Sequence, residues 1–107
     1  MYGLTVDPDA MTAYAATAHL LSADLATAGT HGAAADPLLL APLLGLIGTD
    51  FVAAYTAAHA GHLAAVGALS TVLASIGCTT TSSAAAYVAT DRSRARGLLA
   101  AGEEMWT

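Results

Sequence analysis

The sequence is short of charge. Of its 107 residues only 10% are Asp, Glu, Lys or Arg, where an ordinary soluble domain has about 25%. Lysine is absent, and the three arginines, Arg92, Arg94 and Arg96, fall in one short segment. The net charge of −5 at pH 7 repels nucleic acid and anionic lipid, and three clustered arginines are too few for a nucleic-acid footprint. Cysteine occurs once, at Cys78, which excludes an internal disulfide. That residue is expected to be a small buried apolar side chain, with an intermolecular disulfide as the alternative. Long apolar runs are also scarce. The densest, "LLLAPLLGLI" at residues 38–47, is interrupted by Pro42 and is about half the length that a bilayer-crossing helix needs, so no spanning helix is expected. The opening "MYGLTVDPD" has neither a basic region nor an apolar core, and no cleavable secretory signal is expected there.

What is abundant is small and apolar. Apolar residues make up 56% of the chain, many of them alanine. A chain of this length forms one domain with a modest core. Its surface-to-volume ratio is high, and its polar residues are too few to cover that surface. Much of the surface must therefore be covered by a partner protein or a membrane.

The periodicity is helical. Asp7 stands as N-cap, Pro8 at the first helical position and Asp9 in the first turn. Apolar residues then fall at Met11, Tyr14, Ala18, Leu21, Leu25 and Ala28, at alternating spacings that define a heptad seam. The first helix is expected over about residues 7–29, ended by Gly29 and "THG". Residues 30–49 form an apolar connector. Pro37, Pro42, Gly32, Gly45 and Gly48 argue against one continuous helix there, and its leucines suit a short helix or turn that caps the end of a bundle. A membrane-touching loop is the less favoured reading, because nothing cationic flanks it. The second helix is expected over about residues 50–96, capped by Thr49 or Asp50. Its stripe runs Val52, Tyr55, His59, Val66, Leu69, Leu73 and Ile76. Gly77 and the threonines after it are poor helix formers and make 77–81 the weak point of the helix, but no proline breaks it, and if it runs through, Ile76, Thr80, Ser83 and Tyr87 stay in register. Residues 98–107 are expected to be a flexible tail.

The fold class that follows is all-α: an antiparallel hairpin of two long helices over residues 1–97. One hairpin buries little by itself, and isolated helices depend on tertiary packing. Pairing with a second hairpin gives a four-helix bundle and accounts for the charge deficit. The partner-interface seam is then Met11, Tyr14, Leu21, Leu25, Val52, Tyr55, Val66, Leu69, Leu73 and Ile76. Whether the partner is a second copy or a different hairpin is left open.

Residues suited to catalysis are missing. His59 and His62 are three apart on one helix, but no cysteine or carboxylate joins them at ligand spacing, so no metal is expected. No nucleophile–base arrangement, phosphate loop or supported carboxylate pair is present, and no cofactor and no enzymatic activity are expected. One stretch stands out: "SAAAYVATDRSRA", residues 83–95. It sets Tyr87 and Asp91 four residues apart, on one helix face, among small side chains. A core tyrosine beside a solvated aspartate paired to Arg94 is the plain reading of that spacing. A motif read by a receptor is the functional one.

Taken in order, "LTVDPDAM", "DFVAAYTAAHAGHLAAVGAL" and "SAAAYVATD" resemble the EspC-like proteins of actinobacterial type VII (ESX) secretion systems, relatives of the WXG-motif helical hairpins. The likeness covers most of the chain. It implies a non-enzymatic substrate or co-substrate, folded in the cytoplasm and then secreted or carried to the cell surface without a cleavable signal. It also implies that Tyr87 and Asp91 are the YxxxD export signal, and that the system's motor ATPase reads the tail, where Met105 and Trp106 offer an anchor. The Trp-x-Gly turn of the WXG relatives is absent. "LIG" at 46–48 stands in its place, with Gly48 as the inter-helix turn and Leu46 lacking the indole. The alternative function is a non-exported, chaperone-like hairpin that shields an apolar face of a larger effector.

Overall fold

The computed structural model describes residues 3–106; Met1, Tyr2 and Thr107, the last residue of the expected tail, lie outside the described residues. Two long helices dominate: α1 (Pro8–Ala34) and α3 (Thr49–Trp106). Between them lie a 3-10 turn (Pro37–Leu40) and the one-turn helix α2 (Ala41–Leu44). At about 1.5 Å of rise per residue, the 58 residues of α3 account for the long axis of a body measuring 92 × 27 × 14 Å.

The start of α1 is the one its sequence predicts. The Asp7 carboxylate accepts hydrogen bonds from the backbone N–H of Asp9 (3.0 Å) and Ala10 (3.3 Å), with Pro8 opening the helix. Its end is later than expected, because the helix runs through Gly29 and Gly32 to Ala34. Both glycines face α3. A Cβ on Gly32 would lie 2.9 Å from Leu63 Cδ2, and one on Gly29 would lie 3.7 Å from Val66 Cγ1. They serve close approach and not helix termination.

The helices run antiparallel. Gly32 meets His59 and Leu63, Gly29 meets Val66, Ser22 meets Ser70 and His19 meets Gly77. The less exposed positions repeat by 4 and 3 on both helices: Met11, Ala15, Ala18, Ser22, Leu25, Gly29 and Gly32 on α1; Val52, Thr56, His59, Leu63, Val66, Ser70, Leu73, Gly77, Thr80 and Ala84 on α3. This is a heptad seam built mostly from small and hydroxyl residues. The Ser22 hydroxyl donates to the Ser70 carbonyl (2.7 Å), and the Ser70 hydroxyl donates to the Ser22 carbonyl (2.8 Å).

The expected seam is thereby divided in two. Met11, Ala18 and Leu25 face α3, and Val52, His59, Val66 and Leu73 face α1. Tyr14 and Leu21 are exposed, as are Tyr55 and Leu69, and Ile76 is half-buried. Each of these precedes a facing position by one residue. A two-fold rotation relates the members of an antiparallel pair and keeps equivalent heptad positions on one side. Tyr14, Leu21, Tyr55, Leu69 and Ile76 therefore share one flank of the helix pair. The division arises because small side chains make the close contact, which leaves the larger ones beside it.

The connector differs in detail from expectation. The Asp36 carboxylate caps the 3-10 turn by accepting from Leu38 N–H at 2.9 Å. Gly45 alone among the described residues has a positive φ, +60°, and makes the chain reversal. Gly48, expected to be the turn glycine, sits where a Cβ would approach Leu44 Cβ to 2.5 Å. Neither Thr49 nor Asp50 caps α3 as anticipated: the Thr49 hydroxyl turns back to donate to the Leu46 carbonyl (2.9 Å), and the first turn closes on the Gly48 carbonyl. Helix α3 continues through 77–81 and through 98–106, where a weak point and a loose tail were anticipated. By length and composition it is also apolar enough to cross a bilayer, a property hidden from a search for dense leucine runs because alanine and glycine interrupt its larger residues. Cys78 is exposed and not buried, since it follows the seam residue Gly77 by one position and so turns away from α1.

Candidate export-signal site

Tyr87 and Asp91 lie where α3 leaves the cover of α1. Ala84, the last buried residue of α3, packs near the start of α1, and Pro8, Asp9 and Thr12 share a surface cleft with Ala84 and Val88. One turn further along, the segment leading into α1 takes over. Leu4, Thr5 and Val6 line a cleft of about 590 Å³ together with Tyr87, Thr90, Asp91 and Arg94. The segment before α1 and this stretch of α3 therefore build one surface. Tyr87 is 40% exposed, and Asp91 and Arg94 are exposed.

The small residues around Tyr87 have a physical consequence. Ser83, Ala86 and Thr90 leave a second shallow depression of about 240 Å³ beside it, so small side chains and open space flank the tyrosine. Asp91 makes no hydrogen bond or ion pair with Arg94, which removes the surface-pair reading left open by their spacing. A tyrosine and an unpaired carboxylate one helical turn apart present an aromatic edge, a phenol and a negative charge in fixed relation. That combination suits recognition by a groove with an apolar slot and a hydrogen-bond donor or cation.

The other residues singled out from sequence lie elsewhere. Met105 and Trp106 are exposed at the far end of α3, about 28 Å along the helix from Tyr87 at 1.5 Å per residue. Gly48 is at the opposite end of the molecule. His59 is held by the seam, its Nε2 being 2.8 Å from the Gly32 carbonyl, whereas His62 is exposed. Among the described residues no three His, Cys, Asp or Glu side chains converge on a point. One arrangement escaped notice in the sequence: Phe51, Tyr55 and His59 stack in a ladder, with centroids 5.9 and 6.3 Å apart. Their i, i+4 spacing was the available signal.

The Tyr87–Asp91 pair thus lies on an extended helical body, where the segment before α1 meets α3. The chain belongs to the EspC family, described as the excreted virulence factor EspC of the diderm type VII ESX system, and the family's model matches residues 1–99. Membership points to a type VII secretion substrate, exported by that route. No curated protein and no solved structure matches the chain.

Proposed function

We propose that the protein is a non-enzymatic substrate or co-substrate of a type VII secretion system, a helical hairpin that pairs with a second hairpin into a four-helix bundle and is read through Tyr87 and Asp91. The observation that carries this reading is the exposed, unpaired Tyr87–Asp91 turn on a chain of the EspC family. The flank formed by Tyr14, Leu21, Tyr55, Leu69 and Ile76 is the face that the second hairpin covers, since a chain this poor in charge leaves these side chains in water when alone. Val52, Val66 and Leu73 serve the intramolecular seam instead. Met105 and Trp106, projecting beyond the helix pair, are the contact offered to the motor ATPase, aromatic anchors being the usual centre of such pockets. Export takes the protein from the cytoplasm to the cell surface or medium, and no catalytic or cofactor role is assigned.

The test is export itself. Tyr87→Ala and Asp91→Ala are expected to fold and pair as the wild type does and to be lost from the culture filtrate of cells with a working apparatus. Wild-type filtrate levels for both variants would refute the signal. They would then favour the non-exported, effector-shielding hairpin.

A further inference from the structure

The end of the molecule opposite Tyr87 carries no polar side chain at all from Pro37 to Gly48. Apart from Pro37, which is buried, and Leu40, which is half-buried, its aliphatic residues are not folded inward. Leu43 is 82% exposed, Leu46 94% and Ile47 100%, with Leu38, Leu39 and Leu44 also exposed. Asp36 and Asp50 bracket this tip at its base.

The geometry points to a lipid surface as its occupant: we propose that the tip, residues 37–48, inserts into the interfacial layer of a charge-neutral phospholipid bilayer. Three observations separate lipid from a protein partner. First, the tip is a convex end of a narrow rod. A protein interface mixes a polar rim and hydrogen bonds with its apolar centre to fix register, and this tip offers no side-chain group for that, whereas a bilayer demands none. Second, part of its backbone is satisfied internally and the rest faces outward. Pro37 and Pro42 have no N–H, Leu38 N–H is taken by the Asp36 carboxylate, Leu39 N–H by the Asp36 carbonyl, Gly45 N–H by the Ala41 carbonyl and Thr49 N–H by the Leu46 carbonyl. The N–H groups of Leu46, Ile47 and Gly48 donate to no protein group, which suits the headgroup layer, where water and phosphate oxygens accept, and not the hydrocarbon core. Third, an apolar cleft of about 380 Å³ opens beneath the tip, lined by residues including Leu38, Ala41, Gly45 and Val52, with room for part of an acyl chain.

The absence of a cationic flank argued from sequence against a membrane loop. It excludes only anionic lipid. The carboxylates of Asp36 and Asp50 at the base of the tip, and the net charge of −5, select a neutral surface, and the same two carboxylates limit insertion to the roughly 5–10 Å depth of an interfacial segment. This inference rests on the tip alone and is independent of the export signal.

Flotation of the full chain with phosphatidylcholine vesicles tests it. The wild type is expected to float, and less of it with vesicles rich in phosphatidylglycerol. Leu46→Asp with Ile47→Asp, both at exposed positions, is expected to keep wild-type helicity by circular dichroism and to lose about a hundredfold in partitioning. Met105→Ala with Trp106→Ala, at the other end of the rod, is expected to float as the wild type does. Flotation of the tip variant equal to the wild type, loss confined to the Met105/Trp106 variant, or no wild-type flotation would each overturn the proposal. So would a lipid-free particle mass that falls when the tip is mutated, because a second copy would then be the occupant. Ile47→Trp in a Trp106→Phe background gives a readout that does not depend on the acidic substitutions: its emission is expected to shift to the blue on neutral vesicles, and no shift refutes insertion.

Discussion

Replacing Leu69 by aspartate separates the packing within the chain from the packing between chains. Leu69 is 50% exposed and lies on the apolar flank, one position before the seam residue Ser70. Within one chain the change removes little: the half of the side chain already in contact, about 1 kcal/mol, plus about 0.5 kcal/mol of helix propensity, for a total near 1.5 kcal/mol. In the four-helix bundle the exposed half would also be buried. Losing that burial costs about 1 kcal/mol, and leaving a carboxylate without a partner in the interface costs about 2 kcal/mol more. Association is therefore expected to weaken by about 3 kcal/mol, or more than a hundredfold, when the partner is a different chain. In a two-fold homodimer the substitution occurs twice, the penalty doubles to about 6 kcal/mol, and the loss exceeds ten thousandfold. The assay is light scattering over a concentration series, with circular dichroism on the same samples. The wild type is expected to give a particle heavier than 10.6 kDa, or to gain its structure when the partner hairpin is supplied. The Leu69→Asp chain is expected to stay helical and not to pair. A wild-type chain that is a stable monomer at high concentration, or a variant that associates as the wild type does, would refute the bundle.

The glycines give a contrast of sign. Gly45→Ala is expected to cost about 1–3 kcal/mol, because its φ of +60° is strained for any L side chain. Gly61→Ala, with nothing within 4 Å of the new Cβ and a mid-helix site, is expected to add about 1 kcal/mol and to raise the melting temperature by about 4–8 °C; equal effects of the two substitutions in thermal unfolding would show the turn to be misassigned. Ser22 and Ser70 act as one unit, since each hydroxyl bonds the other residue's carbonyl. Ser22→Ala and Ser70→Ala are each expected to cost about 0.5 kcal/mol after alanine's better helix propensity is counted. A double-mutant cycle in denaturant should show coupling of about 0.5–1 kcal/mol, and strict additivity would mean that the two hydroxyls do not work together.

Legibility in the sequence followed the strength of the local signal. The α1 start was readable to the residue because Asp7, Pro8 and Asp9 each act on the same few N–H groups. The helical class and the antiparallel order of the long helices were readable from 3/4 periodicity. The face that each helix turns to the other was not. Apolar size drew the seam through Tyr14, Leu21, Tyr55 and Leu69, but the close contact is made by Ala15, Ala18, Ser22, Gly29 and Gly32, whose small side chains carry a weak pattern. The glycines misled for the same reason: Gly29 looked like a stop signal and is an approach site, and Gly45, with its positive φ, shares the turn with Gly48. At the candidate site, Tyr87 and Asp91 could be found from spacing. The contribution of Leu4, Thr5 and Val6 to the same cleft could not, because eighty residues of chain separate segments that only the fold brings together.

The thin seam also explains why so much of the molecule faces outward. The buried apolar side chains are Ala15, Ala18, Val52 and Ala84, and among the described residues no large side chain is fully enclosed. An alanine contributes far less on burial than the 1.5–3 kcal/mol of a leucine or valine, so close approach of two smooth helices is gained at the expense of core volume. Long helices of this kind depend on tertiary packing, and one flank and the tip hold most of the larger apolar residues that could supply it. These two surfaces have different chemistry. The flank carries the phenols of Tyr14 and Tyr55 among its aliphatics and can fix the register of a partner helix, whereas the tip carries aliphatic groups only and can fix none. A surface able to specify register suits another hairpin, and one unable to do so suits a fluid. On these grounds the flank and the tip are expected to respond independently: Leu69→Asp should abolish pairing and leave vesicle binding in place, and the Leu46/Ile47 variant should do the reverse.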